Sequence, residues 1–244
     1  MSIDVAVVGS CNLDLVVNVD AIPLVGQTVL GGDLSQIPGG KGANQAVATS
    51  RLGHSAAFIG RIGDDDNGKF LKQCLREDNV ETSFLFETVG VPSGIAMIAV
   101  QADGDNSIVV SPGANARLTP EDVENIPFLD TATVVLTQSE IPIETVVATG
   151  RSTSGTFVWN PAPAPEEIVS LELLDVVDVL VPNQTELSLL AATGPIDSVD
   201  KAISAAQTLP CASVVVTLGA DGAVVIANNH CLLYTSPSPR DSCA

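Results

Sequence analysis

Positive charge is what this chain of 244 residues has least of. Ten Lys and Arg stand against 29 Asp and Glu, a formal net charge of −19. Phosphate backbones and acidic lipid surfaces demand a basic partner, so no nucleic acid and no membrane is expected to bind. ATP is not excluded, because backbone N–H groups and a metal ion can hold its phosphates locally. Histidine is nearly absent too: His54 and His230 alone are too few for a multi-His metal site or a His-centred triad constellation. The five cysteines (Cys11, Cys74, Cys211, Cys231, Cys243) are scattered and form no C-x-x-C pair, which points to reduced thiols rather than zinc or a disulfide framework. No apolar run reaches membrane-spanning length, and no signal-peptide pattern precedes the first strand. A cytoplasmic protein is expected. Aromatics make up 3% of the chain against 45% hydrophobic residues in all, so the core must be built from Val, Ile, Leu and Ala. That composition suits parallel strands covered on both faces.

The order of elements points the same way. Val5–Val8 reads as a buried opening strand that ends at Gly9-Ser10. Leu15–Val19 and Gln27–Leu30 read as short β runs around a Pro-Gly turn region at Pro23 to Gly26, an excursion from the main domain. Ala43 to Leu52 has helical spacing, with glycines before it that leave N–H groups free at its start. Asn67 to Asp78 predicts an amphipathic helix with Phe70, Leu71, Cys74 and Leu75 on one face. Ile95–Val100 and Ser107–Val110 flank Asp103-Gly104-Asp105-Asn106, a hairpin signal. From Thr133 onward strands alternate with helices, among them one around Glu166 to Leu174, one starting near Asn183 and one over Val199–Leu209. This alternation implies right-handed βαβ units: an α/β fold with a doubly wound, mostly parallel sheet and helices on both faces.

Four segments carry chemistry. Asn12 and Asp14, just beyond the first strand, stand where ligands sit in an open α/β sheet, and can offer donors and acceptors to vicinal hydroxyls. An Asx-turn that merely ends a strand explains the pair as well. Pro38-Gly39-Gly40-Lys41-Gly42-Ala43-Asn44-Gln45-Ala46 is not a Walker A loop, because Lys41 is followed by Gly42 rather than Ser or Thr. Its glycines let the backbone approach a small polar ligand, and Lys41 and Asn44 can then hydrogen-bond sugar oxygens. Asn183 and Glu186 are spaced as a capping box and equally as a phosphate-side asparagine with a carboxylate. Thr217-Leu218-Gly219-Ala220-Asp221-Gly222 is a glycine loop after a strand, which a tight turn explains almost as well.

Residues 38–46 resemble the first of two signatures of the ribokinase-like (PfkB) carbohydrate kinases, and the likeness extends over nearly everything before residue 232. The resemblance implies a sugar site at Asn12, Asp14, Gly39, Gly40, Lys41, Asn44 and Glu140, the last within Gln138-Ser139-Glu140. Ser111-Pro112-Gly113-Ala114-Asn115 and Asn160-Pro161-Ala162-Pro163 are further family-like segments. On the nucleotide side the resemblance implies Asn183, Thr217, Gly219 and Gly222, with Glu186 placing Mg²⁺ through water. It further implies ATP as phosphoryl donor, a monovalent cation (K⁺) in a complete member, a β-lid over about residues 15–37, and a homodimer formed through that lid. Lys41 with Asn44-Gln45-Ala46 favours the ribose branch, converting D-ribose to D-ribose 5-phosphate. The second signature, a Gly-Ala-Gly-Asp helix start carrying the catalytic aspartate, is absent from these 244 residues. The expectation is therefore an α/β domain over residues 1–231 that lacks the C-terminal part of the fold, followed by a non-native or disordered tail at 232–244. Such a chain is expected to be inactive. A catalytically dead sugar-binding fragment, or a family kinase for another sugar or nucleoside, are the alternatives.

Overall fold

The computed structural model describes residues 3–164, 171–227 and 230–235. The chain opens with β1 (Val5–Val8), β2 (Asn12–Asn18), β3 (Ser35–Gly39) and α1 (Lys41–Arg51). It continues through β4 (Ala56–Gly63), α2 (Asp66–Glu77), β5 (Leu85–Thr88), β6 (Gly94–Val100) and β7 (Asn106–Ser111). The second half runs α3 (Pro120–Glu124), β8 (Val134–Thr137), α4 (Ile143–Arg151), β9 (Thr156–Trp159), α5 (Leu171–Val176) and β10 (Val179–Leu180). It closes with α6 (Gln184–Leu190), α7 (Val199–Ala206), β11 (Ser213–Thr217), β12 (Ala223–Ala227) and β13 (His230–Tyr234).

Nine strands form the main sheet in the order β13-β12-β11-β10-β9-β8-β1-β4-β5. Pairing is parallel from β11 to β5 and antiparallel for β11–β12 and β12–β13. Alternation along β1 sorts the core into two layers. Val7 faces Ala43, Ala46, Leu71 and Leu75 of α1 and α2, while Ala6 and Val8 face the layer that holds Val146, Leu173, Leu187 and Ala202 of α4 to α7. The doubly wound, mostly parallel sheet expected from composition is the one observed. The few aromatics are spent inside it, with Phe58, Phe157 and Trp159 each at most 1% exposed.

The chain winds outward from β1 to β4 and β5, then returns to place β8 on the other side of β1. Strand order therefore reverses between β1 and β8. The crevice at their carboxyl ends is the topological switch point, where ligands bind in sheets of this kind. A second sheet of four strands, β3-β2-β6-β7, rises beside that crevice.

Several expectations change. The lid is not confined to residues 15–37: half of it is the β6–β7 hairpin, and β2 pairs in parallel with β6 from Asn12 to Asn18. Gln27–Leu30 is not a strand. It lies exposed in an irregular segment touching the sheet through a Val19–Gly31 bridge, because its alternating residues find no partner strand. On α2, Leu71 and Leu75 are buried but Phe70 is 41% exposed, off the buried stripe. The helix expected around Glu166 lies at residues 165–170 outside the described residues, while Leu171–Val176 is helical. The boundary expected after residue 231 falls inside β13, whose Leu232, Leu233 and Tyr234 pair with Val225, Val224 and Ala223.

Candidate functional site

The sugar-side site is assembled at the switch point. Glu140, just beyond β8, is its hub. Its Oε2 accepts from Ser10 Oγ (2.5 Å) and from the Lys41 backbone N–H (3.1 Å), and its Oε1 accepts from Lys41 Nζ (2.9 Å). The Glu140 side chain is 10% exposed and that of Lys41 40%. The glycine-rich turn was expected to leave the first N–H groups of its helix free. Instead Glu140 takes that of Lys41 and the Ser10 backbone carbonyl takes that of Ala43 at 2.9 Å. A carboxylate at the N-terminus of α1 also meets the positive end of the helix dipole.

Gly40 makes this close packing feasible. Its φ is +93°, and a Cβ there would stand 2.8 Å from both the Asn12 backbone nitrogen and the Ser10 carbonyl oxygen. Gly39 leaves room for the Asp14 carboxylate, which lies directly against its Cα. Asn12 is 2% exposed, and its Oδ1 accepts from Asn115 Nδ2 at 2.7 Å. The Asn115 Oδ1 in turn accepts from the Cys11 N–H at 3.0 Å, so one buried amide clamps the strand that carries Asn12 and Asp14. Burial pushes the Asp14 carboxyl above the ordinary aspartate range. The Glu140 charge adds to that shift and Lys41 opposes it. The Cys11 thiol is pushed up to about 12 by burial, which makes it inert as a nucleophile at neutral pH.

Six of the seven expected sugar-side residues (Asn12, Asp14, Gly39, Gly40, Lys41 and Glu140) come together here. Asn44 is the outlier: it is exposed and lines a neighbouring cavity of 260 Å³ with Cys11, Val47, Leu71 and Cys74. Sequence reasoning missed Ser10 and Asn115 as site residues, although each lies within a segment already singled out. Their roles arise from partners 130 and 104 residues away, which no local spacing reveals.

The nucleotide-side residues gather at the carboxyl ends of β10 and β11. Asn183 caps α6: its Oδ1 accepts from the Glu186 N–H and its own N–H donates to Glu186 Oε2, both at 2.8 Å. The capping box and the expected juxtaposition hold together in one geometry. Thr217 pairs with Asn183 in an isolated bridge, and its N–H donates to the Pro182 carbonyl at 3.0 Å. Gly219 (φ +60°) opens a 3-10 turn that closes when Leu218 N–H donates to the Gly222 carbonyl at 2.8 Å, with Gly222 at φ +95°. Glu186 is 7% exposed, and burial raises its pKa against the opposing pull of the Asn183 N–H and the Lys41 charge. Lys41 thus acts electrostatically on both halves of the site.

Among the described residues no group of three or more His, Cys, Asp and Glu is placed to hold a metal ion directly. One carboxylate, with Oε1 of Glu186 not used by the cap, fits a hydrated Mg²⁺ held through water rather than a closed protein cage. No described helix is long and apolar enough to cross a membrane.

Residues 2–242 match the pfkB family carbohydrate kinase model, and the chain belongs to that family. A ribokinase from Bacillus subtilis is 41% identical over 77% of this chain and 64% of its own length. One from Arabidopsis thaliana is 34% identical over 90% of this chain and 60% of its own. The alignments thus span less than two thirds of these relatives. The solved Arabidopsis thaliana ribokinase complexed with ribose and ATP superposes with a TM-score of 0.81 at 29% identity, over 97% of this chain and 79% of that one.

Proposed function

We propose that this chain binds a pentose at the β1–β8 crevice and ATP along the β10–β11 edge, as part of an ATP-dependent kinase that converts D-ribose to D-ribose 5-phosphate. The observation that carries the reading is the Glu140 hub, which holds Lys41 and Ser10 beside Asn12 and Asp14 at the switch point. The ribose- and ATP-bound relative and the residues 38–46 signature support it.

In this reading the Asp14 carboxylate and the Asn12 amide, whose Nδ2 has no partner among the described residues, bind vicinal hydroxyls. Lys41 and Glu140 orient the ring, and Asn44 turns in from the cavity rim. Asn183 and the Gly219–Gly222 turn meet the phosphates, and Lys41 draws their charge toward the sugar. Mg²⁺, held through water by Glu186, would neutralise phosphate charge when bound. The four-stranded lid excludes water over the sugar. Accepting the proton of the attacking hydroxyl falls, by the family resemblance, to the aspartate of a Gly-Ala-Gly-Asp segment that these residues do not contain. The chain by itself is therefore a binder without turnover. The monovalent cation implied by the resemblance has no assigned residue here. The exposed apolar side chains of the lid region (Leu24, Leu30, Met97, Val109) support pairing of two copies through it, in the cytoplasm.

The test is a thermal melt with added sugars beside an ATP-turnover assay. Ribose should raise the melting temperature and fructose should not, and ribose-dependent ATP hydrolysis or transfer should match that of Lys41→Ala. No shift with ribose would overturn the sugar assignment, and turnover well above the Lys41→Ala level would overturn the inert reading.

A further inference from the structure

Three amide side chains that play no part in the site above stand in a row across the carboxyl ends of the sheet. Gln138 follows β8, Gln45 sits on α1 and Asn160 follows β9. Gln138 Nε2 donates to Gln45 Oε1 (2.5 Å), Gln45 Nε2 donates to Asn160 Oδ1 (3.4 Å), and Asn160 Nδ2 donates to the Val181 carbonyl (2.8 Å). The direction of the row is forced. A backbone carbonyl only accepts, so Asn160 must turn its Nδ2 to Val181, which leaves Oδ1 for Gln45, whose Oε1 is left in turn for Gln138. Each amide polarises the next in the same sense.

The two ends lie on the two halves of the site. Gln138 is fully buried, with Oε1 packed against the Cα of Gly9, next to the Ser10 that Glu140 holds. That oxygen has no donor in the structure, so the row begins with a buried acceptor ready for a water or hydroxyl proton. At the other end Val181 is followed by Pro182 and the N-cap Asn183. From β1 to β10 is three strand spacings, roughly 14 Å. We propose that Gln138, Gln45 and Asn160 form a directional amide relay that positions the Asn183 N-cap, and with it the phosphate-side turn, against the sugar loop. They are positioning residues. The functional half of this inference rests on the sugar-and-nucleotide reading above, while the structural half does not.

The experiment compares wild type with Gln45→Met and Gln45→Glu by amide hydrogen exchange on the free protein, then by calorimetry of ribose with and without saturating MgATP. Met keeps the length and removes both hydrogen bonds. Glu keeps the size but, when ionised, cannot donate to Asn160. Both should speed exchange at the Asn183 and Glu186 amides, on a segment well over a hundred residues away, by about fivefold, and leave β4 unchanged. In the ligand arm, ribose alone should bind within about twofold of wild type, with the effect of MgATP on ribose affinity reduced about fivefold. Asn160→Ser, which cuts the other end, should show the same pattern and serves if a Gln45 variant does not fold. Unchanged exchange at α6, or a rise shared equally with β4, would overturn the relay. If wild type binds neither ribose nor MgATP, the exchange result still decides the relay, and it is the proposed function that fails.

Discussion

The two halves of the site solve the same problem, holding a polar ligand at the ends of parallel strands, with very different amounts of structure. On the sugar side one carboxylate takes three hydrogen bonds, a buried asparagine clamps a strand, and glycines let three backbone segments touch. On the nucleotide side a single capping box and one tight turn supply the geometry, and Asn183, Thr217 and Gly219 are all exposed. A neutral sugar offers only hydroxyl groups, so its site must be ordered before it arrives, or the ordering cost exceeds what those hydroxyls return. A triphosphate brings its own charge and metal, and can be met by a few fixed N–H groups.

The largest expected effect tests that contrast at its centre. Glu140→Ala leaves Ser10 Oγ, the Lys41 N–H and the Lys41 ammonium without their shared acceptor, which should cost about 2–3 kcal/mol in stability and abolish measurable ribose protection. Glu186→Gln keeps an oxygen for the Asn183 N–H, so its melting temperature should stay within about 2 °C of wild type. Equal losses in both melts would erase the distinction. The glycines sharpen it further. Gly40→Ala forces a Cβ into the backbone of Cys11 and Asn12 at φ +93° and should cost more than about 2 kcal/mol. Gly219→Ala at φ +60° meets nothing within 4 Å, so only the left-handed backbone penalty of about 1 kcal/mol applies. Denaturant melts of the two variants rank them directly.

The same contrast explains what could be read without a structure. Residues 38–46 and the Asn183–Glu186 spacing are local patterns, and local patterns survive in a sequence. The alternation after Thr133 announced the parallel sheet because each βαβ unit is itself local. What stayed hidden is what forms across distance. The hairpin at Gly94–Ser111 was legible as a hairpin, but its parallel pairing with β2, which makes it half of the lid, depends on residues about 80 positions away. Ser10 and the Gln138–Gln45–Asn160 row meet only because strand order reverses beside β1. Gln27–Leu30 erred the other way, a β-like composition with no edge to join. Phe70 shows that an apolar residue one step off the stripe is left to solvent.

The smallest effect concerns Asp14, where binding and stability pull apart. Burial and the Glu140 charge raise its pKa, so the folded protein holds this proton more tightly than the unfolded chain does. The sign follows from that difference. Stability from this group is greatest below the ordinary aspartate value of 3.8 and is lost as pH rises through the raised folded value. At neutral pH the ionised carboxylate is thus a standing cost, limited to about 1 kcal/mol because the side chain is half-exposed. Asp14→Asn should therefore raise the melting temperature slightly at pH 7, with the gain shrinking as pH falls toward 3.8, while ribose protection is lost at every pH. The loss follows because an amide has one acceptor oxygen where the carboxylate has two for vicinal hydroxyls. Paired melts across that pH range decide it. A variant less stable than wild type at pH 7 would show that the charge is satisfied by the fold rather than held ready for a sugar.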